Sequence, residues 1–108
     1  MNPETLRKTL FALGLCRKAG KGIFGTDAVV DAMRAQRSVA LVVMPCDNSE
    51  NTRKKLTDKC NFYRVELLEI PVSGEILAHA VGRTGHSAAV GILDESFAQL
   101  IRKTLQEE

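Results

Sequence analysis

Val39-Ala40-Leu41-Val42-Val43-Met44-Pro45 is the stretch whose reading decides the fold. Six apolar residues run unbroken up to a proline. A strand with one wet face alternates apolar and polar side chains, so this run suits a central strand buried by helices on both faces. Pro45 stops it, because proline has no N–H to offer a ladder. The run is also far shorter than the roughly 18–20 residues needed to cross a bilayer, so no membrane is expected as a partner.

Downstream, Asp47-Asn48-Ser49 offers several caps for a polar helix reaching about Cys60. Arg64 to Ile70 reads as a strand, with Val65, Leu67, Leu68 and Ile70 apolar, and Pro71 closes it. Ser73 caps a short helix holding Ile76, Leu77, Ala80 and Val81, with Gly82 placed for its C-terminal stop. Ser87 to Leu93 makes a last strand. Asp94 caps a final helix with Phe97, Leu100, Ile101 and Leu105 inward.

Upstream, Asn2-Pro3-Glu4 supplies a cap, a proline at the first helical position and an acid. Leu6, Leu10 and Leu13 then repeat at helical spacing, giving a helix from residue 3 to about 18. Gly20 and Gly22 end it, and Ile23-Phe24 forms a very short strand. Gly25-Thr26-Asp27 opens a second helix, with Ala28, Val29, Ala32 and Met33 on one face, ending near Gln36-Arg37. Strands separated by helices of this length predict an α/β fold, a mainly parallel sheet inside a three-layer α/β/α sandwich. No linker or repeat interrupts residues 1–108, which are expected to form a single domain.

The composition is that of a folded chain, 44% hydrophobic and 26% charged. Met1-Asn2-Pro3-Glu4 lacks the layout of a signal peptide, so a cytoplasmic location is expected. Cys16, Cys46 and Cys60 form no C-x-x-C pair, which supports neither a zinc site nor a redox motif. Gly14 to Gly22 resembles a phosphate loop but fails its spacing: five residues separate Gly14 from Gly20, and Gly22 stands where a hydroxyl residue belongs. The only histidines are His79 and His86, and no nucleophile or metalloprotease motif appears. Capping explains Asp27, Asp47 and Asp94. No catalytic residue, metal ligand or cofactor is called for, and an enzyme is not expected.

The net charge of +2 hides an uneven distribution. Residues 1–37 carry seven Lys/Arg against three acids, and residues 53–64 carry five against Asp58 alone. Clustered basic charge is the usual footprint of a polyanion site, although solvated helix faces give the same count. Three polar loops can collect it. The first runs from Arg17, Lys18, Lys21 and Gly22 into Gly25-Thr26-Asp27, where glycines admit a phosphate backbone and a helix start presents free N–H groups. The second is Cys46-Asp47-Asn48-Ser49, ahead of Arg53-Lys54-Lys55. The third is Arg83-Thr84-Gly85-His86, where arginine can bind phosphate, and threonine and histidine can reach base edges. Each alone reads equally well as an ordinary turn. In a parallel sheet the first two leave the C-terminal strand ends, where α/β ligand sites form, and the third joins them if the last strand is antiparallel.

Leu13 to Lys21 with Gly25 and Ala28-Val29-Val30, and the longer stretch Asp47 to Cys60, resemble the bacterial YlxQ-type branch of the ribosomal L-seven-Ae family. The likeness runs over almost the whole chain. It implies a four-stranded mixed sheet with the last strand antiparallel, and binding to kink-turn RNA, a sharply bent helix–bulge–helix with sheared G·A pairs. The family's Gly-Thr-Asn-Glu motif reads Gly25-Thr26-Asp27-Ala28 here, and Asp31 replaces a lysine one turn on. Asp27 keeps an acceptor for guanine but loses the amide donor. The expected function is non-enzymatic binding of structured RNA, ribosomal RNA or another kink-turn-like RNA, rather than DNA. The ribosome is a candidate partner and translation the expected context. A protein-interaction module on the same fold is the rival reading.

Overall fold

The computed structural model describes all 108 residues. Helix α1 (Pro3–Lys18) starts where Asn2 Oδ1 accepts the Thr5 N–H at 2.8 Å. Strand β1 (Gly22–Phe24) and helix α2 (Thr26–Arg34) follow, then β2 (Leu41–Pro45) and α3 (Glu50–Tyr63). Strand β3 (Glu66–Ile70), helix α4 (Gly74–Ala80), strand β4 (Val90–Ile92) and helix α5 (Glu95–Gln106) complete the chain. Ser49, Ser73 and Asp94 cap α3, α4 and α5 through their side-chain oxygens, as their positions predict.

The sheet order is β1-β4-β2-β3. Only β2 and β3 pair in parallel; β4 lies antiparallel between β1 and β2. The mixed sheet is therefore the one the family resemblance implied, not the mainly parallel one that alternation alone suggested. The reason is the long return after α4. That helix leads away from the end of β3, and residues 81–89 bring the chain back to the same edge before β4 begins.

All five residues of β2 are buried, and they alternate between two cores. Leu41 and Val43 face α1, α4 and α5, while Val42 and Met44 face α2 and α3. The sandwich thus has three layers, and its middle strand explains the unbroken apolar run. Fully burying a side chain such as Leu41 contributes roughly 1.5–3 kcal/mol. Helices α1 and α4 cross so closely that a Cβ on Gly14 would sit 3.0 Å from the Ala80 carbonyl oxygen.

Several details differ from expectation. Ala28 is exposed and Val30 takes its inward place, because a helix starting at Thr26 turns residues 29, 30, 32 and 33 to the sheet. Leu100 is 44% exposed and Leu105 only half-buried, since α1 covers a narrower stripe of α5 than the apolar spacing suggested. Strand β4 pairs only from Val90, not from Ser87. Helix α3 runs on past Cys60 to Tyr63, where Arg64 ends it in a left-handed conformation.

Candidate nucleic-acid interface

The C-terminal ends of β1, β2 and β3 and the start of β4 share one edge of the sheet, so four connections meet there. Hydrogen bonds tie them together. Gly25 N–H donates to Ala89 O at 2.9 Å, Asn48 Nδ2 to Ala88 O at 2.9 Å, and Cys46 N–H to Val72 O at 3.0 Å. Asp47 Oδ1 accepts the Gly74 N–H at 2.8 Å and lies 3.3 Å from His86 Nε2. The His86 ring rests on Gly74 so closely that a Cβ there would be 2.1 Å from Nε2. Gly25, at φ +96°, makes the turn into α2 that a side chain would strain.

Ionisation follows from these contacts. The Gly74 N–H, helped by His86, holds the Asp47 carboxyl below its ordinary value of 3.8. Lys55 Nζ, 2.8 Å from Asp27 Oδ1, does the same for Asp27 through its hydrogen bond and its charge. Asp27 is thus an acceptor only, and already has a cation as partner. Thr26, half-buried, opens α2 beside it. Ser49 Oγ is engaged at the start of α3 with the Thr52 N–H and hydroxyl.

The first predicted loop is divided by β1. Gly25, Thr26 and Asp27 lie on this rim, whereas Arg17, Lys18, Lys21 and Gly22 lie toward the other end of the strand. There Lys21 N–H donates to Cys16 O at 3.0 Å and Lys21 O accepts from Leu93 N–H at 2.8 Å. Because β1 has only three residues, Lys21 and Gly25 are separated by about 13 Å of extended chain. Two contacts bridge that gap. The Arg83 guanidinium sits 5.0 Å over the Phe24 ring, and Arg17 packs against Gly82, where a Cβ would be 3.3 Å from Arg17 Cζ. Thr84 and Gly85 continue the exposed turn toward His86, beside a cleft of about 390 Å³ that also includes His79.

Arg17, Lys18, Lys21 and Arg83 have no acid partner. Arg53 and Lys54 do: Arg53 pairs with Glu69 on β3, and Lys54 with Asp58 at 3.4 Å. The structure therefore joins the rim loops to an open basic edge along β1 and sets Arg53 and Lys54 apart from it. Sequence reasoning placed Asn48 and Lys55 in the second loop and its basic run without a role in the site for either, and missed Gly74 and Phe24. Lys55 stood in the basic run of α3, but nothing in that run said which cation would reach α2. No group of three or more His, Cys, Asp or Glu side chains is placed to hold a metal ion, and no helix is long and apolar enough to cross a membrane.

The molecule is a three-layer α/β/α sandwich whose mixed sheet brings four of its connections together at one end. The chain belongs to the ribosomal protein L7Ae/L30e/S12e/Gadd45 family, whose pattern matches residues 7–102. It is 37% identical over 86 residues to the RNA-binding protein YlxQ of Bacillus subtilis (strain 168), covering 80% of this chain and 83% of that protein. It is 30% identical over 106 residues to the RNA-binding protein YlxQ of Enterococcus faecium, covering 98% and 99%. Among solved structures, a protein of unknown function from Bacillus halodurans superposes with a TM-score of 0.83 at 28% identity, over 92% of this chain and 97% of that one. The 15.5 kD RNA-binding protein of Giardia lamblia shares the fold at a TM-score of 0.77 and 14% identity, over 99% and 89%.

Proposed function

We propose that this chain is a non-enzymatic RNA-binding protein of the cytoplasm that recognises kink-turn-like structured RNA and works with the ribosome or in translation. One observation carries the reading. The rim tied together at Gly25, Cys46, Asp47, Asn48 and His86 meets, through Arg83 over Phe24 and Arg17 at Gly82, cations without acid partners. Arg17, Lys18, Lys21 and Arg83 take phosphates of the RNA arms. Thr26, Asp27 and His86 meet base edges at the bulge, the ionised Asp27 accepting from a guanine. Both YlxQ relatives are named RNA-binding proteins, which supports the same reading.

The test is a filter-binding titration with a kink-turn RNA and with the same RNA after its bulge is paired closed. Binding of the kinked form tighter by about tenfold or more is expected, the size of a few lost shape-dependent contacts. Equal affinity would remove the kink-turn part, and no affinity for either would remove RNA altogether. The exposed apolar side chains Phe11, Leu15 and Leu100, along a groove between α1 and α5, favour the rival protein-interaction module. Purified protein free of nucleic acid and indifferent to heparin would support that rival.

A further inference from the structure

The cations without acid partners fall into more than one group. Away from the β1 edge, Arg37, Lys59 and Arg64 also lack a partner; Arg37 and Arg64 meet where α2 and α3 end, and Lys59 lies one turn earlier on α3. This end of the α2/α3 layer is about 20 Å along α3 from Ser49, so it is remote from the rim. A cleft of about 460 Å³ opens there, lined by Arg37, Arg64, Gln36, Phe62 and Tyr63 over a floor that includes Met33 and Val39. No carboxylate lines it. Phe62 is 75% exposed and stands edge-on to Tyr63, with ring centroids 4.8 Å apart and planes at 86°.

The backbone adds a second, independent sign. Both helices finish in a left-handed residue, Gln36 at φ 58° and Arg64 at φ 57°. Arg37 N–H then closes on Ala32 O at 3.0 Å, and Val65 N–H on Cys60 O at 2.9 Å. Glycine is the residue that takes this position without steric cost. Two non-glycine side chains at the mouth of one cleft bear that cost, and one of them is a cation.

We propose that this cleft is a second nucleic-acid site, which takes an unpaired nucleotide of single-stranded RNA. The Phe62 face stacks the base, while Arg37 and Arg64 hold the flanking phosphates and Lys59 adds to the field. Aromatic faces interleaved with cations suit single strands, because every base offers a π-face. A duplex keeps its bases stacked inside and has none to give to Phe62. The proposal does not depend on the reading of the β1 edge.

The chain has one tyrosine and no tryptophan, so its intrinsic fluorescence reports on Tyr63 alone. The probe is an oligouridine of about eight nucleotides, long enough for one such site and free of secondary structure. It should quench that fluorescence, and Phe62→Ala and Arg64→Gly should each weaken its binding by roughly tenfold. Arg64→Gly should also make the salt slope shallower by about 0.7, the value for one phosphate of a single strand. Arg64→Gly relaxes the left-handed backbone, so the variant keeps its fold. Gln36→Gly gives the same backbone relief without removing charge and should leave affinity within about twofold of the parent. Kink-turn affinity should be unmoved by any of the three. Oligouridine binding that ignores Phe62→Ala and Arg64→Gly, that falls equally in Gln36→Gly, or that is lost in Arg83→Ala instead would overturn the second site. Failure of kink-turn RNA to bind would leave it standing.

Discussion

Two basic segments of this molecule meet different surroundings. At the end of α1, Arg17, Lys18 and Lys21 face solvent and pair with no acid, and Arg83 joins them across Phe24. In the first turns of α3, Arg53, Lys54 and Lys55 are each matched by Glu69, Asp58 and Asp27. The α3 cations spend their charge within the protein. Lys54–Asp58 decorates one helix, Arg53–Glu69 ties α3 to β3, and Lys55–Asp27 fastens α3 to the turn that opens α2. The α1 cations leave theirs unpaired at the surface. A run of basic residues in the sequence thus covers both cations neutralised within the protein and cations left open to a partner.

The contrast can be broken by mutation. Reversing the free set, Arg17→Glu/Lys18→Glu/Lys21→Glu, should weaken kink-turn RNA on the order of a hundredfold at moderate salt, through lost phosphate contacts and added repulsion. Gel-shift titration checks it, with unchanged circular dichroism as the control, since all three side chains are exposed. Arg83→Ala should cost about tenfold, as one phosphate or stacking contact does, with little loss of thermal stability because an exposed cation–π pair is weak. Arg53→Gln/Lys54→Gln should change affinity by less than about threefold, because the adjacent Glu69 and Asp58 carboxylates offset the field these two cations present to a phosphate.

Ionisation sharpens the same contrast on the rim. Asp47 has its carboxyl lowered from 3.8 in the folded state, chiefly by the Gly74 N–H. The stabilisation it gives is therefore complete above 3.8 and is lost as pH falls through the lower folded value. The hydrogen-exchange protection factors of the Gly74 and Ser87 amides, corrected for the intrinsic pH dependence of exchange, should stay unchanged between about pH 5 and 7 and drop only in stronger acid. Asp47→Asn should remove that acid transition. Lys55→Gln should let the Asp27 titration, followed by carboxyl NMR, move back up, since the Lys55 hydrogen bond and charge are the two effects that lower it. The smallest effect concerns the thiols. Burial pushes Cys16 and Cys60 up to about 11, with Asp94 adding to the shift at Cys16, while Cys46 is exposed. A thiol reagent should find one fast cysteine in the native protein and three after unfolding.

Local rules carried much of the fold. Asn2-Pro3, Ser49, Ser73 and Asp94 act over one turn of chain, and each cap sits where its side chain could be read. The run from Val39 to Pro45 reports on both faces at once, so the central strand was legible too. Strand order was not, because the pairing of β4 with β1 and β2 joins segments far apart in sequence. The same distance hid Ala28 and Leu100, whose exposure depends on where neighbouring helices cross. At the candidate site, Gly25, Thr26 and the turn 83–86 were readable as a glycine-hinged polar rim. The division of the first loop by β1 was harder to see, since Ile23-Phe24 is barely a strand. Least legible was the fate of each cation, which is set by acids 16 residues away for Arg53 and 28 for Lys55.

The direct measurement is the salt dependence of kink-turn RNA binding, from about 50 to 300 mM, for two matched double variants. Lys18→Gln/Lys21→Gln should flatten the slope of log affinity against log salt by about two, one for each phosphate released. Arg53→Gln/Lys54→Gln should run parallel to the parent protein. A slope unmoved by the first pair, or flattened by the second, would contradict the assignment of the RNA backbone to the unpartnered edge of β1.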